Sequence, residues 1–293
     1  MKKIAAIGAG NIGIMAAKAL ELSPDMELCG FIRREIRPVR GFENIPVAKS
    51  VFDLPEKPDG AMICLPSRLA ETAEAELLEN GIFTADVFDI HEELIGMRER
   101  LSESAEKGKV SAVIGAGWDP GLDSAIRVFM SAALPQGTTF SDFGPGMSMG
   151  HSAAVRAVEG VADAVSFTLP LGYGRHRRKI YAVLEENADK YAVEHEILSD
   201  GYFEHDECPI EFLPSVKELF STGHCAKINR FGNACGIGGN RLSFKISGDN
   251  PALTGQLLVL AMRAAFLQKP GAYFVPEIPP RDFCAGDDWM KFI

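Results

Sequence analysis

The sequence predicts an α/β chain in which a doubly wound parallel sheet is followed by an α+β region built on a mixed sheet. Three observations carry this. Short apolar runs alternate with helical periodicities through the first 120 residues, and parallel neighbours need crossover connections. Glycine, proline and asparagine mark the junctions between those runs. Beyond residue 120 the texture changes to strand-like segments with few helices between them. A chain of 293 residues makes one large domain or two. The change of texture divides this one into residues 1–119, completed by about 251–293, and residues 120–250.

The elements follow in order. Residues 3–7 are a short buried strand. Ile12, Met15, Ala16 and Leu20 fall at helical spacing over 11–22, and Ser23-Pro24-Asp25 closes that helix as a turn. Strand two is 26–32. After a proline-rich connection, 60–65 makes another strand, 68–79 a helix ended by Asn80-Gly81, and 82–88 the next strand. A charged helix over 92–107 leads into 110–116. That strand must stop at Gly117-Trp118-Asp119-Pro120, because proline cannot continue a regular element. The second region reads as a helix over 122–134 and strands over 161–169, 179–184, 209–213, 226–231 and 241–247. A long apolar helix over 251–268 and an extended stretch over 272–279 close the chain. Their small and aliphatic side chains suit packing back onto the first domain.

Forty acidic against thirty basic residues leave a net charge of −10, so the molecule as a whole repels polyanions, and nucleic acid and anionic membrane are excluded as main partners. Six cysteines are scattered without a Cys-x-x-Cys pair, as expected of a reduced, cytoplasmic protein. The start imitates a signal peptide, but Gly8, Gly10, Asn11 and Gly13 break its apolar run early. The apolar stretch over 253–267 contains Gln256 and Arg263 and is too short and too polar to span a bilayer.

The first chemical signal is Gly8-Ala9-Gly10-Asn11-Ile12-Gly13, a Gly-x-Gly-x-x-Gly directly after a strand and opening a helix. In that context the glycines permit a tight turn and bring a pyrophosphate close to a helix N-terminus, which is the fingerprint of a Rossmann-type dinucleotide-binding domain. Where an acidic residue would read the ribose of NAD, the end of strand two carries Arg33-Arg34, with Arg37 and Arg40 behind them. Guanidinium groups suit a 2′-phosphate, so the expected cofactor is NADP(H). Cys64, Pro66 and Ser67, where the strand over 60–65 ends, are expected to complete the cofactor contacts.

Asp86-x-x-Asp89-x-His91 and Gly117-Trp118-Asp119-Pro120-Gly121 both stand where strands of the sheet end, the ligand edge of an open α/β sheet. Two carboxylates there would hold and deprotonate an ammonium group. The residues alone equally allow Asp119 as a turn residue before proline and His91 as a residue opening a helix. Gly144-Pro145-Gly146-Met147-Ser148-Met149-Gly150-His151-Ser152 reads as a flexible loop opening a helix, without the Lys-Ser/Thr of a Walker loop. Arg175-His176-Arg177-Arg178-Lys179 is a basic run on a strand, where alternate residues face opposite ways and only some reach one ligand. His224 and Cys225 have no partner at metal-ligand spacing, and no metal is expected.

Together these motifs resemble the meso-diaminopimelate dehydrogenase family over essentially the whole chain. The resemblance rests on the glycine fingerprint with Arg33-Arg34, on Asp86-x-x-Asp89-x-His91, on Ala116 to Gly121, and above all on the run from Phe143 to Ser152. It implies oxidative deamination of the D-centre of meso-2,6-diaminopimelate to L-2-amino-6-oxopimelate, ammonia and NADPH, reversible as reductive amination, with no metal. It implies that Asp89 and Asp119 surround the reacting amino group and that Trp118, Phe143, Met149 and Gly150 wall the D-centre. Thr168, Arg178, His224 and Asn250 would hold the L-configured end, making 120–250 the substrate and dimerisation domain. It also implies a homodimer, with which the apolar positions Ile126, Val128, Phe129 and Met130 of the helix over 122–134 agree. In length the chain resembles the shorter branch of the family, which itself resembles enzymes with a looser choice of D-amino acids. Two other readings stand beside this one. One is a related NADP-dependent dehydrogenase of another diamino acid or of simple D-amino acids. The other is an NADP(H)-binding sensor without turnover, which has no need of the acidic pair.

Overall fold

The computed structural model describes residues 1–203, 206–220 and 223–293. Its elements run β1 (Lys2–Ile7), α1 (Asn11–Glu21), β2 (Met26–Ile32), β3 (Val47–Ala48), β4 (Gly60–Ile63), α2 (Ser67–Glu79), β5 (Phe83–Asp86), α3 (Leu94–Gly108), β6 (Ser111–Ile114) and α4 (Asp123–Ala133). There follow β7 (Gln136–Phe143), β8 (Gly146–Ser148), α5 (Met149–Arg156), β9 (Val161–Gly172), β10 (Arg175–Leu184), α6 (Lys190–Ser199), β11 (Ile210–Phe212), β12 (Gly223–Ala234), β13 (Ile237–Asp249), α7 (Asn250–Ala265) and β14 (Gly271–Phe274). The chain divides into two compact units, Met1–Val128 with Pro251–Ile293, and Phe129–Asn250.

The first unit is the expected doubly wound sheet, seven parallel strands in the order β14-β6-β5-β4-β1-β2-β3. Its centre is buried on both faces. Along β1, Ile4 and Ala6 enter one apolar layer and Ala5 and Ile7 the other, all nearly or wholly without exposure, so the strand reads as a continuous apolar run rather than an alternation. On one face α1 buries Gly13, Ala16, Ala17, Ala19 and Leu20, a stripe at helical spacing, against Leu258, Val259 and Met262 of α7. The C-terminal segment thus completes this unit, and β14 adds a parallel edge strand beside β6. On the other face α2 and α3 contribute Leu77, Leu78, Met97 and Leu101. The order in which the chain adds strands reverses between β1 and β4, and ligands of such sheets sit beyond the carboxyl ends of the strands at that point. Among the described residues no helix is long and apolar enough to cross a membrane.

The second unit holds two sheets rather than one. A mixed sheet runs β11-β10-β9-β8, with β10 and β11 parallel and the other pairs antiparallel. Its core joins Val161, Ala164, Ile180 and Ala182 to Val155 of α5 and Val193 and Ile197 of α6. A separate antiparallel sheet runs β13-β12-β7. Two elements escape the apolar pattern of the sequence. β7 is exposed or half-buried along its whole length, so it lacks the apolar alternation that marks a strand. Helix α6 buries only Val193 and Ile197. Its clearest local mark is the cap Asp189, whose carboxylate accepts the Tyr191 N–H at 2.9 Å.

Several local expectations change. The run from Gly144 to Ser152, read as a loop, contains strand β8, because Gly146, Met147 and Ser148 pair with Thr168, Phe167 and Ser166. Thr168 and Arg178 lie inside long strands rather than at their ends and stand directly opposite each other. His224 lies in strand β12, opposite Gly248, and not in the loop before it. On α4, Val128 and Phe129 are exposed, but Met130 is buried and does not belong to that outer face.

Candidate active site

In the first unit the glycine turn lies where β1 and β4 end. Gly8 has φ +103°, and a Cβ there would stand 2.7 Å from the Cys64 carbonyl oxygen, so only glycine fits. A Cβ on Gly13 would strike the Gly8 carbonyl oxygen at 2.2 Å, which lets α1 approach the turn closely. Above Gly10 there is open space. Gly10 caps α1 with no side-chain hydrogen bond, so the N–H groups of Asn11, Ile12 and Gly13 are presented at the positive end of the helix. That arrangement fits a pyrophosphate. Arg33 and Arg34 follow β2 directly; Arg33 is half-buried and Arg34 exposed. Cys64 packs against Gly13, and burial pushes its thiol up to about 12, so it acts there as a small apolar group. Pro66 precedes α2, and Ser67 opens it.

Next to this turn stand the acidic residues. Asp89 is exposed, and its carboxylate accepts the Ser67 hydroxyl at 2.7 Å while the Asp89 N–H reaches the same hydroxyl at 3.3 Å. Ser67 therefore positions a candidate catalytic residue, a role its sequence context did not suggest. Asp119 lies mostly buried, with His91 Nε2 at 3.7 Å and Arg127 at 3.8 Å from its Oδ1. Burial holds its carboxyl above the usual range, a nearby negative charge on Asp89 adds to the rise, and Arg127 opposes it. Trp118 beside it is buried.

Asp86 ties these two loops together. Its Oδ1 accepts the Phe88 N–H at 2.7 Å and the Gly115 N–H at 2.8 Å, so one carboxylate anchors both the segment leading to Asp89 and the segment leading to Asp119. Burial pushes Asp86 up to about 6, and burial together with the Asp86 charge holds Glu74, fully buried beside it and hydrogen-bonded to Thr84, well above the usual carboxylate range. The pair holds a proton because neither carboxylate can ionise cheaply so close to the other. Glu74 sits on the inner face of α2 in an otherwise helical charge pattern, and nothing in its sequence context marks it.

The second unit assembles a polar group around Arg178. Register places Gly146, Thr168 and Arg178 in one row across β8, β9 and β10. The guanidinium donates Nε–H to Asp206 at 2.8 Å and an Nη1–H to Thr168 Oγ1, and its Nη2 meets His176 Nε2 at 3.1 Å. Among the described residues these bonds leave one N–H on each terminal nitrogen. His224 approaches from β12, with its Nδ1 2.4 Å from where a Cβ on Gly146 would stand. Burial, reinforced by the Arg178 charge, lowers His224 to about 4, so its imidazole is neutral at pH 7. The Phe143 ring stands edge-on to His176 at 6.4 Å. Met149 and Gly150 open α5, half-buried, and Asn250 opens α7. The structure thus brings Thr168, Arg178 and His224 together and adds Asp206 and His176, which sequence reasoning missed. His176 was visible only as a member of the basic run. Asp206 is 28 residues from Arg178 and carries no linear signal. Among the described residues no group of three or more His, Cys, Asp or Glu is arranged to hold a metal ion.

A dinucleotide turn with carboxylates at the neighbouring strand ends defines an oxidoreductase of the amino-acid dehydrogenase class, and comparison with known proteins agrees. The model of the diaminopimelic acid dehydrogenase C-terminal domain matches residues 117–174. The meso-diaminopimelate D-dehydrogenase of Bacteroides fragilis is 40% identical over 99% of both chains. That of Lysinibacillus sphaericus is 32% identical over 94% of both. Among solved structures, the C. glutamicum DAP dehydrogenase in complex with DAP superposes with a TM-score of 0.88 at 26% identity, covering 99% of this chain and 98% of that one. An engineered D-amino acid dehydrogenase bound to NADP+ shares the fold, with a TM-score of 0.87 at 24% identity over 99% and 98%. The chain belongs to the meso-diaminopimelate D-dehydrogenase family.

Proposed function

We propose that this chain oxidises the D-centre of meso-2,6-diaminopimelate with NADP, yielding L-2-amino-6-oxopimelate and ammonia, and runs the reverse reductive amination. The observation that carries this within the family is the group around Arg178. A guanidinium oriented by Asp206, Thr168 and His176, with two N–H groups left over among the described residues, suits the second carboxylate that a diamino diacid has and a simple amino acid lacks.

In this reading the N–H groups of Asn11, Ile12 and Gly13 hold the pyrophosphate, and Arg33 and Arg34 face the 2′-phosphate. Cys64, Pro66 and Ser67 complete the contacts. The bound NADP supplies the hydride acceptor for the α-hydrogen. Asp89 and Asp119 receive the reacting ammonium, and Asp119 takes a proton from it so that the nitrogen lone pair can form the imine as the α-hydrogen leaves. Water then adds to the imine carbon and ammonia departs. Trp118, Phe143, Met149 and Gly150 wall the D-centre. Thr168, Arg178, His224 and Asn250 hold the L-configured end.

The test is a direct assay. NADPH should appear with the meso isomer and NADP, at a kcat/KM roughly tenfold or more above that with NAD, since a charge-assisted contact to the 2′-phosphate is worth about 1.5–3 kcal/mol. The L,L isomer, which has no D-centre, should give none. Equal efficiency with both cofactors would remove the roles of Arg33 and Arg34, and turnover of simple D-amino acids alone would favour the looser dehydrogenase.

We also propose that the chain is a cytoplasmic homodimer. Val128 and Phe129 on α4 are 52% and 63% exposed, large apolar side chains that a partner copy would cover, and all six cysteines are free. Sedimentation at micromolar protein should return twice the chain mass; a monomer would overturn the dimer.

A further inference from the structure

Asp123 opens α4 four residues after Asp119, and its side chain has no exposure. A buried carboxyl needs a reason. Asp119 and Asp123 both face the Arg127 guanidinium, and the negative charge of Asp119 raises the carboxyl of Asp123. Oδ1 of each is buried and receives no hydrogen bond from any donor among the described residues. Two ionised carboxylates buried against one cation repel each other, and one proton held between them relieves that repulsion. Arg127, one helical turn after Asp123, donates to Asp123 Oδ2 and lies 3.8 Å from Asp119. It compensates the single negative charge that such a pair keeps.

We propose that Asp123 is the proton-sharing partner of Asp119, so that the pair, rather than Asp119 alone, takes the proton released by the substrate ammonium. This rests on the reading that Asp119 meets the reacting amino group; Asp123 is a positioning residue acting through it. The balance is simple. In the dianionic pair one carboxylate accepts the ammonium proton, which comes to rest between Asp119 and Asp123, and the neutral amine goes on to the imine. The proton later leaves to water. In reductive amination the singly protonated pair returns it.

The sign of the pH dependence follows. Among the described residues the charged and titratable groups facing the pair are Asp89, which disfavours its ionisation, Arg127, which favours it, and His91, a cation only when protonated; the Ser124 backbone N–H also favours the ionised Asp123. With burial, these place Asp123 at about 7. Below that pH the pair already holds its proton and cannot accept another, so deamination should fall on the acid side with a limb near pH 7.

Two substitutions move that limb in opposite directions. Asp123→Asn removes the neighbouring negative charge and gives Asp119 an N–H donor, so the acid limb of kcat/KM for deamination should move down by about one pH unit or more. Arg127→Met removes the compensating cation, and the limb should move up. A role in folding alone would lower the rate without moving the limb. The titration is also read without turnover. In protein labelled with carboxyl-13C aspartate, one resonance should titrate near pH 7 and be absent from Asp123→Asn, while the Asp86 resonance persists. A limb that stays in place in both variants, or a wild-type spectrum whose elevated carboxyl survives in Asp123→Asn, overturns the proposal. A wild type that turns over no amino acid overturns the reading of Asp119, and the carboxyl titration then still decides whether the pair shares a proton.

Discussion

Asp119→Asn should lower kcat by roughly two to four orders of magnitude, the usual worth of a positioned general base, while the dissociation constant for NADP stays within about twofold. Asparagine keeps the shape of the side chain and can still meet Asp123, but it cannot take a proton. The cofactor turn is built from Gly8, Gly10, Gly13 and the opening of α1, none of which depends on the charge of Asp119. Asp89→Asn should also reduce turnover while sparing cofactor binding. Its hydrogen bond from the Ser67 hydroxyl has an equivalent in the amide oxygen, so the loop keeps its place. Steady-state kinetics with a separate cofactor titration measures both. Near-normal turnover in either variant would end that residue's role.

Arg178→Met should cost about 10- to 100-fold in kcat/KM on meso-diaminopimelate, corresponding to the roughly 1.5–3 kcal/mol of a hydrogen bond to a charged partner, and should raise relative activity on apolar D-amino acids. The competing explanation is that Arg178 is one cation of a solvated run. Geometry separates the two. The Arg178 side chain is 12% exposed and bonded on three sides, whereas Arg177 faces the other way, is 44% exposed and pairs with Glu207 at 3.6 Å. Exposed pairs of that kind contribute little, so Arg177→Met should change the kinetics by about twofold or less. Kinetics of both variants on both substrate types decide the matter. An unchanged substrate ratio in Arg178→Met would mean that the distal carboxylate is bound elsewhere. The same substitution leaves the mostly enclosed Asp206 carboxylate with His176 at 3.4 Å as its cationic partner among the described residues, so part of the loss will come from that stranded carboxylate, and adding Asp206→Asn to the Arg178→Met variant should recover some of it.

The first unit was legible because its signals are local. Strands buried on both faces read as apolar runs, helices carry their stripe at 3.6-residue spacing, and Gly8 to Gly13 announce a turn that only glycine allows. In the second unit those signals thin out. β7 shows no alternation because neither of its faces is fully buried, and α6 shows two buried positions where a core helix shows four or five. Strand lengths were underestimated for the same reason: β9, β10, β12 and β13 run on past their apolar segments into polar residues that only pairing with a neighbour keeps extended.

What the sequence by itself determined is the kind of molecule and most of its chemical parts: a parallel sheet closed by the C-terminal helix, a dinucleotide turn, a basic strand end and two aspartates where strands stop. These depend on residue type, spacing and the conformations that glycine and proline allow, all of which are properties of short segments. Only the tertiary structure decided which partners those parts have. Asp206 and His176 orient Arg178 because strand register and a return of the chain bring them there. Asp86 joins two loops through N–H groups far apart in the chain, at Phe88 and Gly115. Asp123 differs from any acidic residue opening a helix only because it is buried against Asp119. Burial and long-range contact are set by how the whole chain packs, and they decide whether a carboxyl group is a solvated charge or holds a proton at neutral pH.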